Sequence, residues 1–343
     1  MSVRAVIIGA SGYTGAELLR LVARHPDVDV VAATADTQAG VRAADVYPSL
    51  AAAFPNLTFG STDVDEVLDL GLDLVFLGLP HEASMALAPA LVGQVGCVVD
   101  LSAAFRLKDA AAYPRWYGFE HDQPGLLAEA VYGLPERTRA DLPGARLVAT
   151  PGCYVTAATL GLAPLLDAGL IRPDGLIVDA ASGVSGAGRS AKASTSFCTV
   201  DEDFVAYGLL DHRHTPEIEQ NLGAEVLFTP HLAPMNRGIL ATCYARPAGP
   251  EPLSTDALLG VLDKAYADEP FVAVIPGSPS TKATLGSNVA HVSTRYDERT
   301  GYVVVLCAID NLTKGASGGA LQAANVALGL DETAGLPTVG MMP

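Results

Sequence analysis

Of the five cysteines, at positions 97, 153, 198, 243 and 307, one stands where a thiol could act as a nucleophile. Thr150-Pro151-Gly152-Cys153 leads into a helical pattern from about Val155 to Ala168. This places the sulfur at a helix N-terminus, where backbone dipoles favour thiolate over thiol. Cys97, Cys243 and Cys307 lie in apolar strand-like runs, the usual setting of a buried inert thiol, and Cys198 is ambiguous. A single cysteine at a helix start is more often structural than catalytic, but a second motif reverses those odds. In Asp211-His212-Arg213-His214-Thr215-Pro216-Glu217, Thr215 reads as an N-cap and Pro216 as the first position of a short helix closing near Gly223. Both histidines then fall in the loop before it. A histidine there is a natural base for a thiol and a natural acid for a departing oxygen. The alternative is that one of the two only caps or bonds the loop. His-x-His could also pair on a metal, but no further ligand set at suitable spacing accompanies it, so no metal is expected.

Cations are scarce, and those beside loop-forming residues are informative. Arg106 follows Ser102-Ala103-Ala104-Phe105, while Arg189 and Lys192 follow Ser182-Gly183-Val184-Ser185-Gly186-Ala187-Gly188. Arg237 follows Pro234-Met235-Asn236, and Lys314 precedes Gly315-Ala316-Ser317. Any one of them alone reads as a solvated surface charge. Several of them in glycine-, serine- and proline-containing loops of an acidic chain suggest an anionic small substrate.

A third constellation is Gly9-Ala10-Ser11-Gly12-Tyr13-Thr14-Gly15, between an apolar β-branched run (Val3–Ile8) and a helical pattern (Thr14–His25). Glycines let the backbone approach a pyrophosphate, whose charge the helix N-terminus meets. The spacing is G-x-x-G-x-x-G, which matches the dinucleotide fingerprint only in part; an ordinary glycine-rich βα turn is the alternative. About 20 residues on, Asp36 is placed to hold a ribose 2′-hydroxyl. Thr34, Thr37 and Arg42 could instead receive a 2′-phosphate, so the residues alone leave NAD against NADP open.

The elements that must carry these groups alternate in the first half. Strands are expected at Val3–Ile8, Val28–Ala33, Leu72–Leu79 and Gly96–Leu101, with helical stretches between them, as in a parallel sheet covered on both faces. After residue 149 the pattern changes to a helix followed by strands near Leu176–Ala180, Glu225–Thr229, Gly238–Ala245, Val272–Val274 and Tyr302–Ile309. Several have no helix between them, which predicts a mixed or antiparallel sheet. A helical segment at Gly315–Gly329 could pack back on the first domain. The expected division is therefore 1–149, completed by 315–343, and 150–314.

The chain has 343 residues, half of them apolar, long enough for about two domains with large cores. With 21 Lys and Arg against 38 Asp and Glu, the formal charge is −17, which disfavours nucleic acid and anionic membrane as partners. The widely spaced, odd-numbered cysteines fit reduced thiols and a cytoplasmic location rather than a disulfide framework. The apolar run near the start of the sequence is too short for a signal-peptide core, and no window approaches the length of a membrane span.

Together these segments resemble the N-acetyl-γ-glutamyl-phosphate reductases, relatives of aspartate-semialdehyde dehydrogenase. The resemblance rests on GASGYTGAELLRL (Gly9–Leu21), DLSAAFRL (Asp100–Leu107), AVYGLPE (Ala130–Glu136), PGCY (Pro151–Tyr154), SGVSGAGR (Ser182–Arg189), HRHTPEIEQ (His212–Gln220), FTPHLAPMNRGI (Phe228–Ile239) and DNLTKGASG (Asp310–Gly318). It implies an α/β fold with a Rossmann-type parallel-sheet domain and a glyceraldehyde-phosphate-dehydrogenase-like α+β domain. It also implies NADP(H), and a cytoplasmic homodimer or homotetramer of arginine biosynthesis that reduces an acyl phosphate. Cys153 is then the nucleophile, with His212 favoured as acid/base and His214 and Glu217 in support. Cofactor contacts fall on Gly9, Ser11, Gly12, Tyr13, Thr14, Gly15, Thr34, Ser182, Gly183 and Asn311, and substrate contacts on Arg106, Ser185, Gly186, Arg189 and Arg237. The chain departs from the family pattern at Ala104, where Asp is usual, and at Gly319, where Gln is usual. Two rival readings are a reductase of aspartyl or carrier-linked aminoadipyl phosphate and a non-catalytic dinucleotide sensor.

Overall fold

A computed structural model describes residues 2–249 and 253–343. In chain order its strands are β1 (Val3–Ile8), β2 (Val28–Thr34), β3 (Leu74–Leu77), β4 (Cys97–Asp100), β5 (Val131–Tyr132), β6 (Leu147–Ala149), β7 (Leu176–Gly183), β8 (Val205–Ala206), β9 (Val226–Ala233), β10 (Ile239–Ala245), β11 (Val272–Val274), β12 (Ala290–Asp297) and β13 (Tyr302–Ile309). The longer helices are α1 (Tyr13–Val22), α2 (His81–Leu91), α3 (Cys153–Asp167), α4 (Thr215–Leu222), α5 (Thr255–Ala265) and α6 (Gly318–Ala327). The chain divides into two compact units, Met1–Pro151 with Ala316–Leu336, and Gly152–Gly315 with Pro337–Pro343.

The first unit holds a six-stranded sheet ordered β2-β1-β3-β4-β6-β5, with every pair parallel. Its central strands read as unbroken apolar runs because both faces are covered: β3 and β4 are buried at every position. From β1 the chain steps to β2 on one side, then resumes with β3 on the other. The loop after β1 therefore lies at a topological switch point, where open α/β sheets bind ligands. Late in the chain, α6 packs against β4 and α1. It begins at Gly318 rather than 315, because residues Thr313–Ser317 form a single π turn.

The second unit holds a seven-stranded sheet ordered β11-β12-β13-β10-β7-β9-β8. It is mixed: β7 with β9 and β11 with β12 are parallel, and the other pairs are antiparallel. Strand β10 alternates buried and half-buried residues along its whole length, as does most of β7, so one face is core and the other is open. Helices α3 and α5 cover the core face. Strand β12 escapes the sequence reading because His291, Ser293 and Arg295 interrupt its apolar positions.

Three expectations are corrected. Thr215 is the first residue of α4 rather than its cap; the cap position belongs to His214, whose side chain makes no capping bond. Cys153 itself starts α3, two residues earlier than the apolar pattern suggests. The tail expected whole in the first domain is divided, since Pro337–Pro343 group with the second unit, where the Asn288 N–H donates to Pro337 O (2.8 Å) and the Met341 N–H to Leu285 O (2.8 Å).

Candidate active site

In the first unit the glycine loop is held by its own backbone. The N–H groups of Gly9 and Ala10 both donate to the carbonyl of Thr34, at 3.0 and 2.8 Å. Gly9 has φ +84°, and a Cβ there would strike the Gly78 carbonyl; one on Gly15 would strike Ala10. These two glycines are demanded by the chain. Gly12 differs: its backbone is extended (φ −74°, ψ 168°), and an added Cβ would meet only Gly9 O at 3.5 Å. It caps α1 without a side-chain bond, so the cap residue itself puts no side chain at the helix N-terminus. Tyr47 donates to Ser11 O (2.8 Å) and Ser317 to Thr14 O (2.8 Å), pinning the loop at both ends. Tyr13 and Thr14 open the helix.

Beyond β2, Thr34 is buried and shares a hydroxyl hydrogen bond with Thr62 (2.8 Å). Asp36 lies past the strand end in a short turn and accepts the Thr62 N–H (2.7 Å). Arg42 forks onto Asp45 at 2.7 and 3.0 Å, with both side chains largely in solvent.

Arg106, expected as a loop cation, is buried; it donates to Leu101 O (2.9 Å) and its charge is felt by Asp100. Burial nevertheless raises the Asp100 carboxyl above its ordinary value, against the bonds it receives from Ser102. Ala104 is fully buried, with its carbonyl bonded to His121 Nε2 (2.8 Å). Gly319 is likewise buried in the first turn of α6.

In the second unit the thiol and the imidazoles meet around one residue. Gly152 caps α3, and its N–H donates to Oε1 of Glu217 (2.9 Å), a carboxylate with 0 % exposure. The ring of His214 packs on Gly152. The β-carbon of Cys153 faces Gly315, where an added Cβ would come within 2.8 Å. Cys153 is partly exposed, while Cys97, Cys243 and Cys307 are buried and Cys198 is exposed. Burial pushes the Cys97 and Cys307 thiols up to about 12, which removes both as nucleophiles at neutral pH.

The two histidines have different surroundings. His212 lies among the rings of Tyr154, Tyr207, Phe228 and His214, at centroid distances of 5.7, 5.4, 5.3 and 4.9 Å. Its Nδ1 accepts the His214 N–H (3.1 Å), so a neutral ring carries its hydrogen on Nε2. Burial, helped by the Arg213 charge, lowers His212 to about 4. Beside it, Tyr207 donates to the Tyr154 hydroxyl (3.2 Å), which donates to His231 O (2.9 Å). Burial moves Tyr207 up to about 12 and raises Tyr154 as well, with the charge of Cys153 contributing to both shifts. Sequence reasoning missed this hydroxyl pair, although Tyr154 adjoins Cys153 and Tyr207 comes five residues before His212.

The remaining expected residues form a framework at the ends of β7, β10 and β13. Ser182 is buried and donates to Gly183 O (3.0 Å). Gly183 is glycine because a Cβ would meet the backbone of Asn236 and Arg237 at 2.7 Å. The amide of Asn311 is used within the chain, accepting from Gly238 N–H (2.7 Å) and donating to Ser185 Oγ (3.0 Å). Arg237, expected to meet a substrate anion, pairs with Asp310, which it contacts through Nε and Nη2. Gly186 and Arg189 are exposed and Ser185 half-buried. Among the described residues, no group of three His, Cys, Asp or Glu could hold a metal ion, and no helix is long and apolar enough to cross a membrane.

Residues 4–145 match the family described as semialdehyde dehydrogenase, NAD binding domain, and residues 153–311 match semialdehyde dehydrogenase, dimerisation domain. The N-acetyl-gamma-glutamyl-phosphate reductase of Moorella thermoacetica is 48 % identical over 99 % of this chain and 100 % of its own length. That of Pseudomonas aeruginosa is 49 % identical over 98 % of each. The chain belongs to the N-acetyl-gamma-glutamyl-phosphate reductase family. It is thus an oxidoreductase with a dinucleotide-binding domain, as the glycine loop and the parallel sheet led us to expect. The fold extends beyond this reductase family. Aspartate semialdehyde dehydrogenase II of Vibrio cholerae, in complex with ASA, superposes with a TM-score of 0.72 at 18 % identity, covering 95 % of this chain and 98 % of that one. The Candida albicans enzyme, solved with NADP, gives 0.67 at 14 % identity, covering 95 % and 98 %.

Proposed function

We propose that the protein reduces N-acetyl-γ-glutamyl phosphate to N-acetylglutamate 5-semialdehyde with release of phosphate, using NADPH, through a thioester on Cys153. The observation that carries this reading is Cys153 at the first position of α3, with an imidazole on the residue before it, in a chain nearly half identical to full-length reductases of that name. The Cys153 thiolate attacks the acyl carbon; a C–S bond forms, and the C–O bond to phosphorus breaks as phosphate leaves with the electron pair. The thioester is a good hydride acceptor because sulfur donates little resonance to its carbonyl. NADPH, when bound, supplies the hydride. Collapse of the resulting thiohemiacetal breaks the C–S bond, frees the aldehyde and restores the thiolate. Backbone N–H groups at the start of α3 suit the transient oxyanion.

His214 is the better placed proton carrier, since its ring lies on Gly152. His212 holds it through the Nδ1 bond and stays neutral across the physiological range. This reverses the order that the family resemblance suggests. Glu217 fixes the Gly152 N–H from the other side.

Gly12 fits a dinucleotide, since nothing in the chain requires glycine there and a side chain would stand over the N-terminus of α1. NADP over NAD is supported by Asp36, which is displaced past β2 and bonded to Thr62. Ser185, Gly186 and Arg189 remain the residues of the second unit suited to the anionic substrate. The open face of the second sheet, with Ile177, Leu240 and Tyr244 half-buried, suits self-association into a homodimer or homotetramer of a cytoplasmic enzyme.

Phosphate-dependent formation of NADPH from N-acetylglutamate semialdehyde, assayed before and after thiol alkylation, tests the reading. Near-normal turnover by Cys153→Ser would overturn the thioester. Faster turnover with aspartyl or aminoadipyl substrates would reassign the acyl group.

A further inference from the structure

Strand β13 is followed by two polar residues, Asp310 and Asn311, both almost wholly buried. Asp310 (0 % exposed) joins three separate loops. Its Oδ1 accepts the N–H groups of Leu312 (2.8 Å) and Thr313 (3.0 Å), and its Oδ2 accepts that of Gly286 (2.7 Å). Both oxygens take the Arg237 guanidinium, at 2.9 Å from Nη2 to Oδ1 and 2.9 Å from Nε to Oδ2. The same Nη2 donates to the Thr313 hydroxyl (2.9 Å). Thr313 opens the π turn, whose Gly315 N–H returns to Asp310 O (3.0 Å). Gly315 in turn forms the wall against the Cys153 β-carbon.

We propose that the Arg237–Asp310 pair positions the Cys153 thiol, acting through Thr313 and Gly315. This rests on Cys153 being the nucleophile and adds the device that aims it. Neither charged group touches the reacting atoms, so both are positioning residues. The pair has the properties such a device needs. A bidentate ion pair with the carboxylate oxygens also bonded to backbone N–H groups has one geometry, and its charge is compensated where burial would otherwise be costly. It also gives Arg237 a purpose that differs from binding a substrate anion. The π turn brings the backbone of Gly315 to the thiol, and a side chain at 315 would displace Cys153.

The test follows alkylation of Cys153 by iodoacetamide in the free enzyme, resolved from Cys198 by peptide mapping, beside kcat and KM. Thr313→Val removes the hydroxyl that Arg237 grips while keeping the shape. We expect kcat and the alkylation rate of Cys153 to shift together, with kcat down by ~10- to 100-fold, as for a misplaced reacting group. KM for NADPH stays within about twofold, and Thr313→Ser restores both rates. A folded Thr313→Val with wild-type kcat and alkylation overturns the proposal. If that variant does not fold, Arg237→Lys decides. Altered alkylation without substrate supports positioning, whereas unchanged alkylation with a raised substrate KM means that Arg237 contacts substrate directly and refutes it. Cys153→Ser, run in parallel, separates the two levels, because full turnover there removes the thioester reading whatever the other variants do.

Discussion

The imidazole of His214 occupies the space that a side chain on Gly152 would need: a Cβ built there would lie 2.5 Å from Nε2 and 2.8 Å from the two neighbouring ring carbons. A glycine in an ordinary extended conformation (φ −67°, ψ 145°) is thus fixed by the approach of a ring, not by its own backbone. Gly152→Ala should displace that ring while α3 keeps its cap conformation. The expected outcome is a ~10- to 100-fold fall in single-turnover rate. A thermal unfolding curve would show whether the fold survives the change.

His212 makes a signed prediction about pH. Its ring titrates near 4 in the folded protein and near 6.5 when unfolded. Between those values the unfolded chain binds the proton and the native one does not, so stability falls as pH drops from about 6.5 towards 4. His25, His121 and His291 are also lowered by burial and add slopes of the same sign. Urea unfolding of His212→Gln beside the unaltered protein, at pH 7 and 4.5, isolates the contribution of His212. Its loss of stability on acidification should be the smaller of the two. The opposite order would mean that His212 is charged in the fold.

Three glycines of the nucleotide loop should separate by cause. Gly9→Ala and Gly15→Ala force a Cβ into backbone and should lower the melting temperature whether or not cofactor is present. Gly12→Ala meets no close backbone and should melt like the unaltered protein while binding NADPH more weakly. Fluorescence titration of the nucleotide, run beside the melts, reads both effects. A Gly12→Ala variant with unchanged affinity would remove this residue from the cofactor site.

Asp310→Ala leaves the guanidinium of Arg237 without its carboxylate and strips the acceptor from three backbone N–H groups. Removing one partner of a buried pair costs on the order of 3–5 kcal/mol, and denaturant unfolding should register a loss of that size. Arg172, by contrast, pairs with Asp174 on the exposed surface, and Arg172→Ala should leave the denaturation midpoint almost unchanged.

Strands β1 to β4 and the start of α3 were legible because they are written in local pattern: apolar runs bounded by glycine or proline, and proline-glycine before an apolar helix; the short strands β5 and β6 carry too few residues to show one. The roles of single charged residues were not. Arg106 and Arg237 look alike in sequence, each a cation beside a loop, yet both are drawn inward. Asp310, the partner of Arg237, lies 73 residues away along the chain. No local pattern announces a pair formed across a sheet. The surroundings that distinguish the two histidines were hidden for the same reason. The aromatic rings around His212 come from three separate segments, at 154, 207 and 228, which only the assembled sheet brings together.

The route of the chain also limits how the molecule can be dissected. A fragment ending at 151 would lack α6, the helix that packs on β4 and α1, and one beginning at 152 and stopping at 315 would lose the tail that bonds to Leu285 and Asn288. Grafting the dinucleotide half of one relative onto the catalytic half of another therefore requires junctions at three places, near 151, 315 and 336, rather than a single splice.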